Sequence, residues 1–346
     1  MGDFCAAIDF GMQRSTWRIM EYRPLKLQPC YKEYLWGGER LKKEYGKSDA
    51  PKVTAESWEL AAHQDGMSVV AEGDFKGKTL LELGKIDLKG FWGDDCAYGE
   101  AFPIMVKLID AAKDLSIQVH PSDATANKDK GESGKAEMWY IVDCKPQSSI
   151  YLGLSKTITE SEFLRRSKEG SICEALNKVP VKKGDVFYIL PGTIHAIGAG
   201  IVIAEIQQNS NTTFRVYDYN RKDVNGNLRP LHLERAAQVM NYEPIIPSEC
   251  RANGVATFPG FSITEMFSCS YFRAYKADVE TEAKLVCDGA SFQHLLCVSG
   301  EGDIISGKET YRVRTGESFF MPAAIGEYRV RGKCRILISK VWREER

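Results

Sequence analysis

The chain contains the run GDVFYILP at residues 184–191, and a similar run, GESFFMP, recurs at residues 316–322. Each run begins with a glycine and an acidic residue, has aromatic residues at its centre and ends at a proline. Such a pattern between turn residues is typical of a short β-strand. The repeat therefore predicts two copies of one β-unit. The copies differ in one respect, because His195 lies four residues after the first proline and Gly326 lies four after the second.

Short strand-like segments separated by glycine, proline, asparagine and aspartate make up most of the chain, and their length favours a β-sandwich or barrel. Past residue 250 we expect strands that include Phe292–Ser299, Gly302–Ile305, Glu327–Arg331 and Arg335–Val341. Helical patterns interrupt the strands at Thr79–Lys85, Thr159–Gly170, Ile172–Asn177 and Leu231–Asn241. Thr159 and Glu162 have the spacing of a capping box. The prolines within Tyr242–Ser248 indicate a linker.

The charge and the apolar content of the chain limit its class of function. Its 346 residues carry a formal net charge of −1, with 43% hydrophobic and 27% charged residues. This composition offers no general attraction to nucleic acid, so we expect no nucleic-acid partner. We find no run of about 18 apolar residues and no secretory signal, which predicts no membrane span and no export. Ten cysteines without a CxxC pair indicate free thiols, so we predict a cytoplasmic protein.

Gln118 and His120 are candidate metal ligands. Side chains alternate between the faces of a strand, so these two residues of the run SIQVHP point the same way. Glu137 and His195, from other strands, could complete a set of two nitrogen and two oxygen donors, which suits a divalent metal. A lone buried histidine is more often a hydrogen-bonded core residue, but burying Glu137 is costly without a partner or a metal. The chain past the linker holds one histidine, His294, so we expect a single site, with the second unit packing against the first.

Four motifs resemble, in their order and spacing, those of the type I mannose-6-phosphate isomerases, which are zinc enzymes of the cupin superfamily. They are SIQVHP at 116–121, GKAEMWY at 134–140, PGTIH at 191–195 and NSNTTFR at 209–215, with weaker matches in YLWGG at 34–38 and ESWE at 56–59. The resemblance covers residues 22–245 and fades to general cupin character over 250–346. It implies a mainly β protein with two cupin-type jelly-roll β-sandwich domains.

The implied domain boundaries divide the chain into three parts. Residues 1–20 form an N-terminal extension outside the family pattern. Residues 21–245 form the catalytic, metal-binding cupin domain, with a small helical insert at 157–178. Residues 246–346 form a C-terminal cupin-like domain that lacks the metal ligands.

The resemblance also implies the role of each site residue. One zinc ion per chain is held by Gln118, His120, Glu137 and His195. Arg215 is the catalytic arginine near the sugar. The phosphate of the substrate is bound by Lys107, Ser116, Lys135 and Arg221, the last of which is lysine in some members of the family. The implied reaction interconverts mannose 6-phosphate and fructose 6-phosphate through a cis-enediol(ate).

Three questions stay open at the level of sequence. Glu205 shares a strand face with Gln207 and is one candidate for the base, and a water or hydroxide held by the metal is the other. A metal-dependent cupin oxygenase and a non-catalytic sugar-phosphate sensor are the rival functions, although Arg215 and the basic residues favour the isomerase. The chain could act as a monomer or as a homodimer.

Overall fold

The structure is a computed structural model, and it describes residues 20–96, 101–126, 132–223, 225–250 and 256–342. All but the last residue of the predicted N-terminal extension lies outside this part of the chain. No helix within the described residues is long and apolar enough to cross a membrane. Eight cysteines of this part are free thiols, as the sequence predicted.

The protein is mainly β, and its helices are few and short. The strands before residue 250 are β1 (Leu25–Gln28), β2 (Cys30–Lys32), β3 (Glu56–Leu60), β4 (Ala62–His63), β5 (Gly66–Met67), β6 (Val69–Val70), β7 (Ile104–Ala111), β8 (Ile117–Val119), β9 (Glu137–Cys144), β10 (Ser149–Leu154), β11 (Leu176–Pro180), β12 (Val186–Ile189), β13 (His195–Ile197), β14 (Ile201–Gln208) and β15 (Phe214–Tyr217). The later strands are β16 (Ala256–Phe258), β17 (Phe261–Ser268), β18 (Phe272–Val279), β19 (Glu282–Cys287), β20 (Gln293–Ser306), β21 (Glu309–Arg314), β22 (Ser318–Met321) and β23 (Gly326–Val341). The helices are α1 (Arg40–Glu44), α2 (Leu80–Ile86), α3 (Leu88–Phe91), α4 (Glu160–Glu169) and α5 (Leu233–Val239).

Two antiparallel sheets form a first jelly-roll sandwich. One sheet has the strand order β12-β9-β14-β7-β3-β2, and the other has the order β11-β10-β13-β8-β15. Trp139 and Ile141 of β9 pack in the core between the sheets, against Leu152 of the opposite sheet. Met138 and Tyr140, on the other face of β9, are also buried, in a separate core. Strand β9 therefore lies at the centre of the molecule, covered on both faces.

A second jelly-roll sandwich, built from β16 to β23, repeats this arrangement with one exception. Its order β22-β20-β23-β18-β17-β16 matches the first sheet above, and β21-β20-β23-β19 matches the second except for β15. β20 and β23 each correspond to two strands of the first sandwich, because each passes from one sheet into the other. β23, for example, pairs with β19 through its first half and with β18 through its second.

A large shared core joins the two sandwiches. Met138 of β9 and Ile206 of β14 pack there with Leu296, Phe320 and Leu337 of the second sandwich. The N-terminal strand β1 also joins them, because it pairs with β22 on one side and with β6 on the other. The sheet of the second sandwich is thus extended by strands from the beginning of the chain.

Three of the helical segments predicted from sequence are confirmed, whereas Ile172–Asn177 is a 3₁₀ turn that ends at Ala175 and is followed by β11 from Leu176. Thr79 caps α2 in a capping box with Glu82. Thr159 caps α4 by accepting a hydrogen bond from the Glu162 backbone, and Gly170 ends that helix in the left-handed conformation. The following segment is a 3₁₀ turn, Ile172–Ala175. Helix α4 and this 3₁₀ turn lie between β10 and β11 in the chain.

Candidate active site

His120, Glu137 and His195 converge inside the first sandwich. His195 on β13 lies directly opposite Gln118 on β8, and Glu137 begins β9 on the facing sheet. Their ligand atoms lie within 4.8 Å of one another, and all three side chains are buried. Glu137 Oε2 lies 3.5 Å from His120 Nε2, and Oε1 lies 3.3 Å from His195 Nε2. Gln118 is next to this group, with its amide nitrogen 3.4 Å from His195 Nε2.

Backbone carbonyls orient both imidazole rings. His120 Nδ1 lies 3.0 Å from the oxygen of Thr212, and His195 Nδ1 lies 2.8 Å from that of Thr193. Because a carbonyl only accepts, each Nδ1 carries the proton and each Nε2 offers its lone pair to the centre. Burial lowers the pKa of His195 to about 4 and that of His120 well below its ordinary value. Both rings are therefore neutral, the state in which histidine binds metals.

The carboxylate of Glu137 provides a test of whether these residues fit a metal ion. Within the part of the chain that the structure describes, neither of its oxygens accepts a well-formed hydrogen bond, although both are buried. Burial raises its pKa to about 7, against the charge of Lys135, whose ammonium lies 2.9 Å from Oε2. A buried carboxylate without hydrogen-bond partners is stable only beside a cation. The side chains fit a divalent ion such as zinc. The donors are two imidazole nitrogens, this carboxylate and the amide oxygen of Gln118 after rotation of the amide.

A cavity of about 240 Å³ opens beside this group. Six residues that the sequence singled out line it: Lys107, Ser116, Gln118, Lys135, Glu205 and Arg215. Glu56 and Arg229 line it as well. The wall is thus strongly polar and carries both cations and carboxylates. This is the environment that a sugar phosphate requires.

Lys107 lies between the two carboxylates of the cavity. Its ammonium is 3.3 Å from Glu205 Oε1 and 3.6 Å from Glu56 Oε2. A tryptophan holds each acid in place, since Trp139 Nε1 donates to Glu205 at 3.0 Å and Trp58 Nε1 donates to Glu56 at 2.6 Å. Burial favours the neutral form of Glu205, but Lys135 and Lys107 outweigh it and lower the pKa of Glu205. Glu205 is therefore an ionised carboxylate facing the cavity.

Arg215 and Arg229 supply the cations on the opposite side. Arg215 on β15 pairs with Gln118 across the sheet, so the guanidinium lies near the candidate metal group. One guanidinium nitrogen donates to the Pro230 oxygen at 2.9 Å, and the buried Nε has no hydrogen-bond partner among the described residues. Burial, together with the charge of Arg229, lowers the pKa of Arg215. Arg215 thus faces the cavity with at least one N–H group that is available to a ligand.

Arg221 occupies a different position. Its guanidinium is hydrogen-bonded to Asp218 and to the backbone oxygen of Asp114. It does not line the cavity that the described residues form. Asp218 also binds Arg229, so among the described residues this shared carboxylate links Arg221 to the lining of the cavity. The phosphate-binding role implied for Arg221 stays a prediction.

Sequence reasoning did not identify Glu56 or Arg229 as site residues. Glu56 belongs to the ESWE match, and its neighbour Trp58 pairs with Lys107 across β3 and β7. That pairing would have placed Glu56 near the site, had the register of β3 been known. Arg229 lies on a loop after β15, where no periodic pattern exists to locate it.

The chain was compared with known proteins and families. One family model, phosphomannose isomerase type I, catalytic domain, matches residues 25–152, and another, mannose-6-phosphate isomerase, cupin domain, matches residues 262–341. Mannose-6-phosphate isomerase ManA of Bacillus subtilis (strain 168) is 39% identical over 321 residues, which cover 92% of this chain and 99% of that protein. Mannose-6-phosphate isomerase of Streptococcus mutans is 35% identical over 317 residues, covering 91% and 98%. The crystal structure of the mannose 6-phosphate isomerase from Bacillus subtilis superposes with a TM-score of 0.84 at 34% identity, covering 91% of this chain and 99% of that one. The chain belongs to the type I phosphomannose isomerase family.

Proposed function

We propose that this protein interconverts mannose 6-phosphate and fructose 6-phosphate, and that it uses one zinc ion per chain. The observation that supports this most is the buried group of His120, Glu137 and His195, which adjoins a cavity lined by cations. The relatives named above carry the same activity in their names. The cytoplasmic location predicted from the sequence is part of the same proposal.

The proposed reaction takes the proton from C2 of open-chain mannose 6-phosphate and returns it to C1, while the proton of the C2 hydroxyl moves to the C1 oxygen, through a cis-enediol(ate). When bound, the zinc ion supplies a Lewis acid that stabilises negative charge on the sugar oxygens. Glu205 is ionised and faces the cavity, so it takes the proton from one carbon and returns it to the next. Arg215 places a fixed positive charge where the enediolate oxygen develops. Trp139 and Lys107 keep the Glu205 carboxylate in position.

The phosphate group binds the remaining polar side chains of the cavity. Ser116 and Lys135 are buried and line it, and each offers a donor. Lys107 contacts the phosphate and the two carboxylates from one position. Arg229 joins this set as a second guanidinium, which can bind phosphate through two nitrogens.

A coupled assay with mannose 6-phosphate tests the proposal. We expect turnover in the metallated protein, loss of turnover after chelation, and recovery when zinc is added back. Absence of turnover in fully metallated protein would rule out the isomerase. Calorimetric binding of the sugar phosphate without turnover would instead support a sensor, and oxygen uptake by iron-loaded protein would support an oxygenase.

A further inference from the structure

A second and larger cavity, of about 890 Å³, opens in the second sandwich. It lies beside β19, which is an edge strand of that sandwich. Its inner wall contains Tyr275, Gln293, Tyr328, Ile338 and Lys340. Tyr328 and Ile338 are buried in the core between the two sheets. The cavity therefore reaches from the surface into the interior of the sandwich.

The strand register shows that this cavity is the counterpart of the active-site cavity. In the first sandwich Glu137 pairs with Ile189, and the repeated run places Gln293 opposite Met321 in the same way. Gln293 thus takes the position of the candidate metal ligand Glu137. The equivalence extends to neighbouring strands, as the next two positions show.

Glu205 pairs with Lys107 in the first sandwich, and the counterpart pair in the second is Ile338 with Tyr275. His195 pairs with Gln118, and the counterpart pair is Gly326 with Cys287. The second cavity has therefore lost the metal ligands, the base and the central lysine. Apolar and aromatic side chains replace the carboxylate and the lysine.

Polar and charged side chains also line this cavity: Lys284, Asp288, Gln293, Glu327, Arg329 and Lys340. Gln293 is already satisfied, since it donates to the Val286 oxygen at 2.7 Å and accepts a hydrogen bond from the Tyr328 hydroxyl. Lys340 follows Ser339, which pairs with His294, so Lys340 lies opposite Gln293. Within the described part of the chain, the half-buried ammonium of Lys340 forms no ion pair. A half-buried cation beside the apolar side chains of this cavity can bind an anion that has an apolar body.

The edge of the second sandwich leaves this cavity accessible. In the first sandwich β15 pairs with β8 and brings Arg215 to the site. No strand of the described residues occupies the corresponding place beside β19. The cavity is therefore open along this edge, and its volume of about 890 Å³ exceeds the 240 Å³ of the first cavity.

We propose that the second sandwich binds a small organic anion that combines an aromatic or aliphatic body with one negatively charged group. The body contacts Tyr275, Ile338 and the half-buried Ile263, and the charged group binds Lys340. Binding at this site is non-catalytic, because none of the residues that carry the first site's chemistry has a counterpart here.

Two fluorescent probes of similar shape test this proposal. 8-Anilinonaphthalene-1-sulfonate is anionic, and N-phenyl-1-naphthylamine is its neutral analogue. Both are titrated into the full-length protein in saturating mannose 6-phosphate, which occupies the first cavity. We expect saturable binding of both. Lys340→Met is expected to weaken the anionic probe by about tenfold while leaving the neutral one nearly unchanged.

A second variant and a control complete the experiment. Ile263 is half-exposed, and the strand register gives it the place of Glu56 in the first sandwich. Ile263→Glu puts a charge at this position, so we expect the affinity for both probes to fall by about tenfold or more. Lys308→Met, in the exposed turn between β20 and β21, is the matched control and should change neither affinity. Absence of saturable binding, or equal effects of Lys340→Met and Lys308→Met on the anionic probe, would overturn the proposal.

Discussion

The two sandwiches share their strand order, apart from β15, but differ in the side chains at the positions of Glu205 and Lys107. In the first, Glu205 and Lys107 face each other across β14 and β7. In the second, Ile338 and Tyr275 occupy those places. The apolar residues between the sheets are similar in kind in both sandwiches, which explains why both fold alike. A few inward-facing positions near one end of the sandwich therefore determine the function, and the remaining residues of the sheets determine the fold.

The largest expected effect comes from replacing Glu137 with glutamine, the residue type of its counterpart Gln293 in the second sandwich. Glu137→Gln keeps the shape of the side chain but removes the charge that balances a bound cation. We expect loss of bound metal and a fall in turnover of more than about 100-fold, since even indirect partners of a metal contribute 10- to 100-fold. Metal analysis of the purified protein and the coupled assay measure both. Glu160→Gln, on the exposed face of α4, is the control, and full metal content in Glu137→Gln would contradict the ligand role.

Arg215 belongs to β15, which has no counterpart among the described strands of the second sandwich. Arg215→Ala removes the positive charge proposed to stabilise the enediolate, so we expect kcat to fall by about 100- to 1,000-fold. Bound metal should remain, because Arg215 is not one of the ligands. Arg235→Ala, on the exposed face of α5, is the matched control. Loss of metal from Arg215→Ala would show a structural role instead.

Glu205 and Glu56 flank Lys107 almost symmetrically, yet only Glu205 is proposed as the base. Glu205→Gln should lower kcat by about 100-fold or more, the usual contribution of a positioned base. Glu56→Gln should cost about tenfold, through weaker positioning of Lys107. Steady-state kinetics of the two variants compare them directly. A larger loss in Glu56→Gln would transfer the role of base to Glu56.

The smallest expected effect concerns His294, which occupies the place of Met138 between the sandwiches. Met138 pairs with Ile206, whereas His294 pairs with Ser339. Among the described residues, neither ring nitrogen of His294 has a hydrogen-bond partner. Burial, with the nearby charge of Lys47, lowers its pKa to about 3. Because the unfolded chain takes up the proton first, the protein should lose stability as the pH falls from about 6.5 towards 3.

His294→Met should remove this loss. We expect its free energy of unfolding to exceed that of the parent by about 2 kcal/mol more at pH 5 than at pH 8. Urea denaturation at a series of pH values measures the difference. A difference that does not change with pH would show that His294 is accommodated by a bound water or another partner.

Strand alternation and the motifs were enough to bring most of the site together. Gln118, His120, Glu137 and His195 come from three separate segments, and all of them meet in the first sandwich. Arg221 was harder to place. Tyr219 and Asn220, just before it, have positive φ angles of 53° and 52°, so the chain turns away from the strand direction. No spacing rule accounts for such a turn, because non-glycine residues rarely adopt it.

The predicted strands past residue 290 differ from the observed ones in their breaks. The sequence predicted separate strands at 292–299 and 302–305, whereas β20 runs through Gln293–Ser306. A shift in register between Cys297 and Ser299 bends the strand without ending it, and Gly300 takes a φ of 80° beside it. Glycine marks a bend as well as a break, so composition alone does not distinguish the two.

The pairing of β1 with β22 has a consequence for how the protein reaches this structure in time. Leu25 lies opposite Phe320, so two partners in one sheet are separated by nearly the whole chain. At ribosomal speed, residue 25 precedes residue 320 by roughly 15 to 60 s. During that interval β1 and the apolar outer face of β9 lack their final partners. Nascent chains of this protein should therefore depend on chaperones that shield exposed apolar strands until the second sandwich has been synthesised.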